Sequence, residues 1–595
     1  MTQTPTAGPA DIAALLNLGR RHENENDHAQ AVALYRKWLR VFPNAELAHL
    51  VWYEFGRLLH RQGENVKAEN AFRAALEQKP AYHEATLALG IALETQGRHE
   101  DAVAAWQGAL PPDALQIQLL NNVARVQDKL HRAEHAEQAL ITSLRLDPTQ
   151  DAVLTTLLQQ RQKLCRWPVM TPDLGVAVDA QQASIGPLMS LALMDDPVAN
   201  LRSARHFLAG STLYAPLPPL VARGAFYPHH ARLRVGFLSA DFRLHATSVF
   251  FAPLIAGLDR HRFEVYALDL TTAADPFVQS REQIIASADH HVPLQQLTDE
   301  QAARRIRELE IDILVDLAGL TSGARPSIVG SRPAPLQVSY IGFLASCGID
   351  AVDYIVTTAD LFPRGAKAGF SERPLVLPGV YVTLSEDRAP TVALTRADCG
   401  LPPEAMVYCA LLNSYKITPE TYACWMNVLK AVPDSVLWLV EENPTTRGNL
   451  ERAAATHGVD RQRLHFSPRV HPAQYSAQLA LADLFLDTTP YGNGATAREA
   501  ILAGLPMLTR PGKTMMSRFT AHFIRNLGLK GLIARNLAHY EEIAIRLGQS
   551  RALLQKHRAT LQAARATSPL FDVPRFVKEF GDALLAVVDR VNSER

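Results

Sequence analysis

The chain has 595 residues, of which 47% are apolar and 20% charged, and its 60 basic residues balance 60 acidic ones. This length is too great for one hydrophobic core, and the neutral balance gives no overall field to attract nucleic acid or an anionic membrane. The five cysteines are odd in number and lack C-x-x-C spacing, which is typical of a reduced, cytoplasmic protein. We find no secretory signal at the N-terminus and no apolar run long enough to span a bilayer.

The first domain, residues 1–165, contains a repeat with a period near 34 residues. A small residue lets two helices approach closely, and a large residue in the second helix of each pair fills the space between pairs. The pattern predicts four tetratricopeptide repeats and a trailing helix near 150–164. Such an array either serves as a scaffold for a protein partner or presents acceptor proteins to a fused enzyme, and the sequence leaves both open. The small residues are Gly19, Gly56, Gly90 and Ala124, and the second helices align through Ala31 and Tyr35, Ala68 and Phe72, Ala102 and Trp106, and Ala136 and Leu140.

After a helical linker over residues 166–230, short apolar strands alternate with helical segments in two series. We assign the first series to a lobe of residues 231–395 and the second to a lobe of residues 396–595 that ends in a helix. Two successive β-α-β series predict two parallel-sheet lobes that face each other across a cleft, with ligands at the carboxyl ends of the strands. The predicted strands are Val235–Ser239, Val265–Leu270, Asp312–Leu317, Gln337–Ile341 and Tyr354–Thr357, then Val407–Leu412, Val436–Val440, Leu464–Ser467, Leu484–Leu486 and Pro506–Thr509.

Two stretches at strand ends in the second lobe carry the strongest chemical signal. Lys416 follows the strand Val407–Leu412 closely, and the strand Leu484–Leu486 runs through a glycine-containing loop into a helix of about Ala495–Ala503. A lysine and a helix N-terminus at one sheet edge make a site for a diphosphate, because the helix amides and dipole favour an anion and the ammonium adds a full charge. Behind a repeat array, this site favours a sugar-nucleotide-dependent glycosyltransferase.

Several ordered blocks extend this interpretation to a family. The blocks are residues 233–248 (Leu-Arg-Val-Gly-Phe-Leu-Ser-Ala-Asp-Phe-Arg-Leu-His-Ala-Thr-Ser), 316–325, 332–337, 432–439, 511–518 and 532–540. With these blocks the chain resembles the O-linked N-acetylglucosamine transferase family, including SPINDLY-like proteins, in a bacterial-type form. The resemblance implies a GT-B catalytic region of two Rossmann-like lobes behind the repeats. It also implies inverting, metal-independent transfer of a sugar, GlcNAc from UDP-GlcNAc in first place, to serine or threonine of proteins held by the repeats.

The resemblance also implies roles for individual residues. Lys416 would stabilise the charge on the departing nucleotide, and the 494–496 amides with Thr496 would hold the diphosphate. Glu499 would hold the ribose hydroxyls, although an acid early in a helix is also expected from the helix dipole alone. His245 and His290 match two histidines of the family's cleft, and either His245 or the donor's own phosphate would take the acceptor proton. The remaining matched donor-binding positions are Asn413, Val470, Tyr475, Tyr491, Gly494 and Ala495.

Neither a cofactor nor a metal is expected. The chain has no Asp-x-Asp pair, and the adjacent pairs His229–His230 and His290–His291 would point to opposite faces of a strand, which suits one metal ion poorly. One departure bears on the donor: Gly494 and Ala495 stand where the family carries a histidine that contacts the sugar. Protein O-fucosyl transfer, N-glucosyl transfer and a catalytically degenerate adaptor therefore stay open as alternatives.

Overall fold

The computed structural model describes residues 11–108, 114–212, 214–272, 278–384 and 392–594. The expectation about a secretory signal therefore rests largely on residues outside this description. The chain divides into two compact units, Met1–Gln160 with Thr171–Ala177, and Arg161–Met170 with Val178–Arg595. Within the described ranges, no helix is long and apolar enough to cross a membrane.

The first unit is an array of paired helices, which confirms the tetratricopeptide prediction. A Cβ atom on Gly19 would lie 2.0 Å from the Tyr35 hydroxyl, and one on Gly90 would lie 2.0 Å from Trp106 Nε1. The missing side chains thus admit the large rings of the second helices, as the spacing predicts. The helices are α1 (Ile12–Asn24), α2 (His28–Val41), α3 (Ala48–Arg61), α4 (Asn65–Gln78), α5 (His83–Thr95), α6 (His99–Gln107), α7 (Ala114–Lys129), α8 (Ala133–Leu146) and α9 (Asp151–Lys163), the last of which continues into the second unit.

In the second unit, three helices lead to the first of two parallel sheets. Over the described residues this sheet has seven strands in the order β3-β2-β1-β4-β5-β6-β7. The strands are β1 (Leu233–Ser239), β2 (Phe263–Asp269), β3 (His290–Pro293), β4 (Ile313–Asp316), β5 (Leu336–Ser339), β6 (Tyr354–Thr358) and β7 (Arg373–Leu377). The helices are α10 (Val178–Ser184), α11 (Pro187–Leu193), α12 (Pro197–Gly210), α13 (Ser248–Gly257), α14 (Val278–Ala286), α15 (Asp299–Glu308) and α16 (Pro326–Gly330).

The second sheet has, over the same described ranges, five parallel strands in the order β10-β9-β8-β11-β12. Its strands are β8 (Met406–Ala410), β9 (Ser435–Glu441), β10 (Leu464–Pro468), β11 (Leu484–Leu486) and β12 (Met507–Leu508). Its helices are α17 (Pro419–Ala431), α18 (Pro444–Thr456), α19 (Pro472–Leu481), α20 (Ala495–Leu502), α21 (Met515–Asn526), α22 (Leu537–Gly548) and α23 (Arg551–Ala564). The last helix, α24 (Val573–Ser593), returns to the first sheet, where the Phe580 ring lies 5.1 Å from that of Tyr340. The domain limits assigned from sequence stay predictions.

The strand order fixes where a ligand can bind. In the second sheet β8 lies between β9 and β11, so the chain leaves β8 toward one side and returns through β11 on the other. In the first sheet β1 lies in the same way between β2 and β4. At such a switch point the loops after two neighbouring strands diverge and leave a crevice at their carboxyl ends. Lys416 follows β8, the 487–494 loop follows β11, and His245 follows β1.

Candidate functional site

A cavity of about 530 Å³ opens at these strand ends and is lined from both sheets of the second unit. The structure brings eight of the predicted site residues into its lining. They are His245, Asn413, Lys416, Val470, Tyr475, Ala495, Thr496 and Glu499. Tyr491 and Gly494 lie directly behind this lining, since the Tyr491 ring is 4.9 Å from Lys416 Nζ and Gly494 precedes the first residue of α20.

Lys416 is held by a chain of buried polar groups. Its Nζ donates to Asn493 Oδ1 at 2.8 Å, and Asn493 Nδ2 donates to Asp487 Oδ1 at 2.6 Å. The other carboxylate oxygen of Asp487 accepts from the Thr509 hydroxyl at 2.6 Å. Lys416 is 8% exposed and Asn493 is fully buried. Because Asp487 accepts the amide N–H, the amide oxygen of Asn493 is turned toward the lysine.

Burial shifts the pKa values of Lys416 and Asp487 in opposite directions. It lowers the pKa of Lys416 to about 8, with the Arg469 charge acting in the same direction and Asp487 against it. It raises the pKa of Asp487 to about 6, against the hydrogen bonds from Thr509 and Asn493. At neutral pH Lys416 is therefore still charged. A desolvated ammonium at the wall of a cavity favours an anionic ligand, because the anion's charge compensates for the water that burial has taken away from the ammonium.

The start of α20 provides a second group of donors at the cavity wall. Among the described residues no side chain caps this helix at Gly494, which leaves first-turn N–H groups free for an anion. The loop before it packs tightly on α21: a Cβ on Gly494 would lie 2.7 Å from the Phe519 ring, and one on Gly492 would lie 2.6 Å from the Met516 carbonyl oxygen. A larger side chain at residue 494 would meet Phe519.

Tyr475, Asn413 and Glu499 complete the second-sheet side of the cavity. The Tyr475 hydroxyl donates to the Leu411 carbonyl at 2.6 Å, and burial raises its pKa, so it stays a neutral donor. Asn413 Oδ1 accepts from Arg469 Nη2 at 2.5 Å. Glu499 is the fifth residue of α20 and forms an ion pair with Arg498. It therefore lies beyond the first turn of the helix. The helix dipole favours an acid only within the first turn, so the dipole alone does not account for Glu499.

His245 faces the same cavity from the first sheet. Its Nδ1 lies 3.2 Å from Asp241 Oδ2 and 3.0 Å from the Thr247 hydroxyl. The Thr247 backbone N–H also points at Nδ1, at 3.4 Å, but the contact with the carboxylate is shorter. A carboxylate only accepts, so we assign the ring proton to Nδ1, and Nε2 is the atom that can act as a base. Burial, aided by the Arg243 charge and opposed by that of Asp241, lowers the pKa of His245. The imidazole is therefore neutral at pH 7.

His290 is the predicted site residue that the structure does not bring to the cavity. It is the first residue of β3, at the amino end of the strand, whereas the cavity lies at carboxyl ends. Its Nε2 lies 2.7 Å from Glu264 Oε1, and its ring stacks on Tyr266 at 4.4 Å. This position gives no support to a role in catalysis.

The expectation about adjacent histidines is right for one pair and wrong for the other. On β3, His290 contacts Glu264 while His291 Nε2 lies 3.0 Å from Asp269, on opposite faces of the strand. His229 and His230 lie on a turn before β1 instead. There the two rings are 4.5 Å apart and both Nε2 atoms approach Glu310, because a turn does not alternate side chains as a strand does.

The comparison with protein families decides what kind of chain carries this cavity. The model of glycosyl transferase family 41 matches residues 218–388 and 382–580, which together are more than half of the chain. The chain belongs to glycosyl transferase family 41. The model of the middle TPR-like domain of cilia and flagella-associated protein 70 matches residues 15–156, in agreement with the helical repeats.

Curated relatives of this family 41 chain include the probable UDP-N-acetylglucosamine–peptide N-acetylglucosaminyltransferase SEC of Arabidopsis thaliana, 31% identical over 66% of the chain and 42% of that protein. The corresponding transferase of Caenorhabditis elegans is 26% identical over 59% of the chain and 40% of that protein. The chain thus spans about two fifths of the length of these relatives. An O-GlcNAc transferase structure from Thermobaculum terrenum superimposes with a TM-score of 0.60 at 23% identity, covering 99% of this chain and all of that one, and supports the fold.

Three residues that hold side chains at this cavity were not predicted from the sequence. Asn493 and Asp487 form the chain behind Lys416, and Asp241 orients His245. Asp487 follows β11 directly, and Asp241 comes two residues after β1. An acidic residue this close to the end of a buried strand could have been predicted to lie at the sheet edge where the ligand binds. Asn493 gives no such signal, since its role depends on a lysine 77 residues away.

Proposed function

We propose that this family 41 protein is an inverting, metal-independent glycosyltransferase that moves GlcNAc from UDP-GlcNAc to serine or threonine of proteins. The observation that carries the proposal is the buried ammonium of Lys416 beside the uncapped start of α20, in a cavity large enough for a nucleotide sugar. Both groups are suited to a diphosphate.

The reaction puts its developing charge on the leaving nucleotide. The acceptor hydroxyl oxygen attacks the anomeric carbon, the bond from that carbon to the phosphate oxygen breaks, and UDP leaves. Lys416 and the amides of residues 494–496 stabilise this charge without reorganising, because Asn493 and the packing on Phe519 already fix them. These groups supply the positive potential that a bound cation supplies elsewhere.

The acceptor proton goes to His245 in this proposal. The imidazole is neutral at pH 7, and Asp241 holds its Nδ1–H, so Nε2 carries the lone pair that acts as the base, and the imidazolium that forms is stabilised by the carboxylate. The competing acceptor is the donor's own phosphate. The two differ in their pH profile: with His245 as base, the rate falls on the acid side as the imidazole protonates, and a His245→Gln variant loses that limb.

The cavity also has an apolar part that suits a nucleobase. Val470 and Tyr475 line the cavity together with the apolar Val440 and Leu412, so a planar base can pack against them while main-chain groups after β10 read its edge. The acceptor is proposed to dock on the repeats. A groove of about 450 Å³ in the first unit is lined by Trp52 and Phe55 with basic residues at its border, which suits an extended peptide with an aromatic or acidic side chain.

The test is calorimetric titration with UDP, GDP and their sugars. We expect UDP to bind and Lys416→Ala to weaken it about ten- to a hundredfold, the equivalent of a charged hydrogen bond of about 1.5–3 kcal/mol. Lys513→Ala is the matched control, because Lys513 is exposed and lines a different cavity. Preference for GDP would move the donor to a fucose type, and binding of neither nucleotide would leave a repeat-based adaptor.

A further inference from the structure

A cluster of two histidines and a glutamate lies outside the donor cavity, at the amino edge of the first sheet. His229 and His230 form part of the turn that precedes β1, and Glu310 follows α15 just before β4. One ligand atom from each of the three residues lies within 4.8 Å of the others. Glycosyl transfer as proposed above uses none of them.

The distances fit one small cation. Oε2 of Glu310 lies 2.9 Å from His229 Nε2 and 3.2 Å from His230 Nε2. A tetrahedral Zn²⁺ with bonds of roughly 2.0–2.2 Å keeps its ligand atoms roughly 3.3–3.6 Å apart, so each of the two contacts with Glu310 needs to lengthen by only roughly 0.1–0.7 Å. Two imidazoles and one carboxylate, with a fourth position open to water, are a ligand set that zinc accepts.

The partners of His230 supply an independent argument. Its Nδ1 lies 2.8 Å from Asp312 Oδ2 while its Nε2 lies against Glu310, so both ring nitrogens face carboxylates. A neutral imidazole carries one N–H and can satisfy only one of them. A cation between Nε2 and Glu310 removes the conflict, because Nδ1–H donates to Asp312 and the Nε2 lone pair binds the metal. Asp312 then acts as the outer carboxylate that orients a zinc-binding histidine.

The surroundings keep this arrangement in place. Asp312 is fully buried and also accepts the backbone N–H groups of Tyr227 and Arg234, at 3.2 and 2.9 Å. Glu310 has a φ of 51°, a left-handed conformation that glycine or asparagine usually occupies. Glutamate is disfavoured in this conformation, yet it is the residue found here. The Arg234 guanidinium lies 3.6 Å from Glu310 Oε2 and donates to Glu264 and to the Leu309 carbonyl at the shorter distances of 3.2 and 3.0 Å.

We propose that His229, His230 and Glu310 bind one Zn²⁺ ion, which ties the turn before β1 to the segment between α15 and β4. The site is structural. It lies at the opposite end of the strands from the donor cavity, so it adds stability to the first sheet without taking part in transfer. Metal-free protein keeps the fold, since the carboxylates still hold the turn through hydrogen bonds.

The experiment measures zinc on the full-length, untagged protein after removal of metals with a chelator. We expect dialysis against dilute ZnCl2 to leave one ion per chain, and Co²⁺ in its place to give the intense visible absorption of a four-coordinate site. His229→Ala and Glu310→Gln should each weaken zinc binding by more than the about 10–100-fold that loss of an outer-shell partner costs. His229 is exposed, so its replacement leaves the fold intact.

The second adjacent histidine pair provides the matched control. His290→Ala removes an exposed histidine that also contacts a glutamate, Glu264, but whose neighbour faces another carboxylate. Zinc content and the thermal midpoint with zinc should be unchanged in this variant and lowered in His229→Ala. Stoichiometry below one, or equal affinity in wild type and His229→Ala, would overturn the proposal and leave the cluster as hydrogen bonds between the turn and Glu310 and Asp312.

Discussion

The depressed pKa of Lys416 makes donor binding depend on pH above neutrality. Burial lowers this pKa to about 8, so between pH 7 and pH 9 the free protein changes from mostly charged to mostly neutral at this position. A diphosphate binds the ammonium and not the amine. We therefore expect UDP affinity to fall as the pH rises through 8. Replacing the lysine by arginine, which stays protonated throughout, should remove the dependence.

The magnitude follows from the pKa. At pH 9, one unit above it, about one tenth of the free protein carries the charge, so the apparent Kd for UDP should be about tenfold higher than at pH 7. Each further pH unit adds another factor of about ten, or 1.36 kcal/mol, until the pKa of the complex is reached. The bound diphosphate raises that second pKa, because an opposite charge favours the charged lysine.

The assay is calorimetric titration with UDP at pH 7, 8 and 9 on wild type and Lys416→Arg. Titration of the nucleotide itself is common to both proteins and cancels in the comparison. Titration of Lys416 does not itself destabilise the fold over this range. Because its folded pKa lies below the unfolded value near 10.4, it makes the native state more stable as the pH rises from about 8 towards 10.4. Parallel pH curves for the two proteins would refute the assignment of Lys416 to the diphosphate.

Three further predictions test other parts of the structure. Asn493→Asp places a carboxylate against Lys416 Nζ, and we expect it to weaken UDP binding about ten- to a hundredfold by calorimetry, with the fold retained; unchanged affinity would refute the role of the neutral amide. Gly90→Ala collides with Trp106 and should destabilise the repeats by about 1–3 kcal/mol in denaturant titration, whereas Gly448→Ala, with only Arg452 at 3.5 Å, should stabilise its helix by up to about 1 kcal/mol. Removing residues 1–150 should reduce transfer to protein acceptors more than hydrolysis of the donor sugar, with both reactions followed by the release of UDP. Equal loss of both activities would mean that the repeats only stabilise the fold and do not bind the acceptor.

How far the sequence predicts this fold depends on how deeply each element is buried. The ten strands expected from apolar runs all occur, and the two unexpected ones, β3 and β7, are the outer strands of the first sheet. β3 has one buried residue in four, and β7 alternates exposed and buried positions around Pro374. An edge strand covered on one side needs no continuous apolar run, so its pattern is too short to distinguish from a loop.

The same reasoning separates the predictable part of the site from the rest. Lys416 and residues 494–496 could be predicted because each follows a buried strand in the sequence. Residues that follow neighbouring parallel strands lie at the same edge of the sheet, so their sequence position is enough to place them near each other. The contacts of Lys416 with Asn493, and of His230 with Asp312 and Glu310, join residues about 77 to 82 positions apart that share no periodicity. Only the packed structure brings such pairs together.

The neutral amide between Lys416 and Asp487 explains how a buried lysine can serve an anionic substrate. A carboxylate bonded directly to Nζ would neutralise the lysine before any donor arrives and would compete with the diphosphate. Asn493 instead accepts from the lysine with an uncharged oxygen, while its amide nitrogen is fixed by Asp487. The lysine is thus positioned without a full counter-charge, and desolvation keeps its pKa at about 8. The free energy that burial costs the empty site is recovered when a diphosphate binds, which favours binding of the donor. Lys416 then accelerates transfer to the extent that its attraction grows as further negative charge develops on the leaving diphosphate.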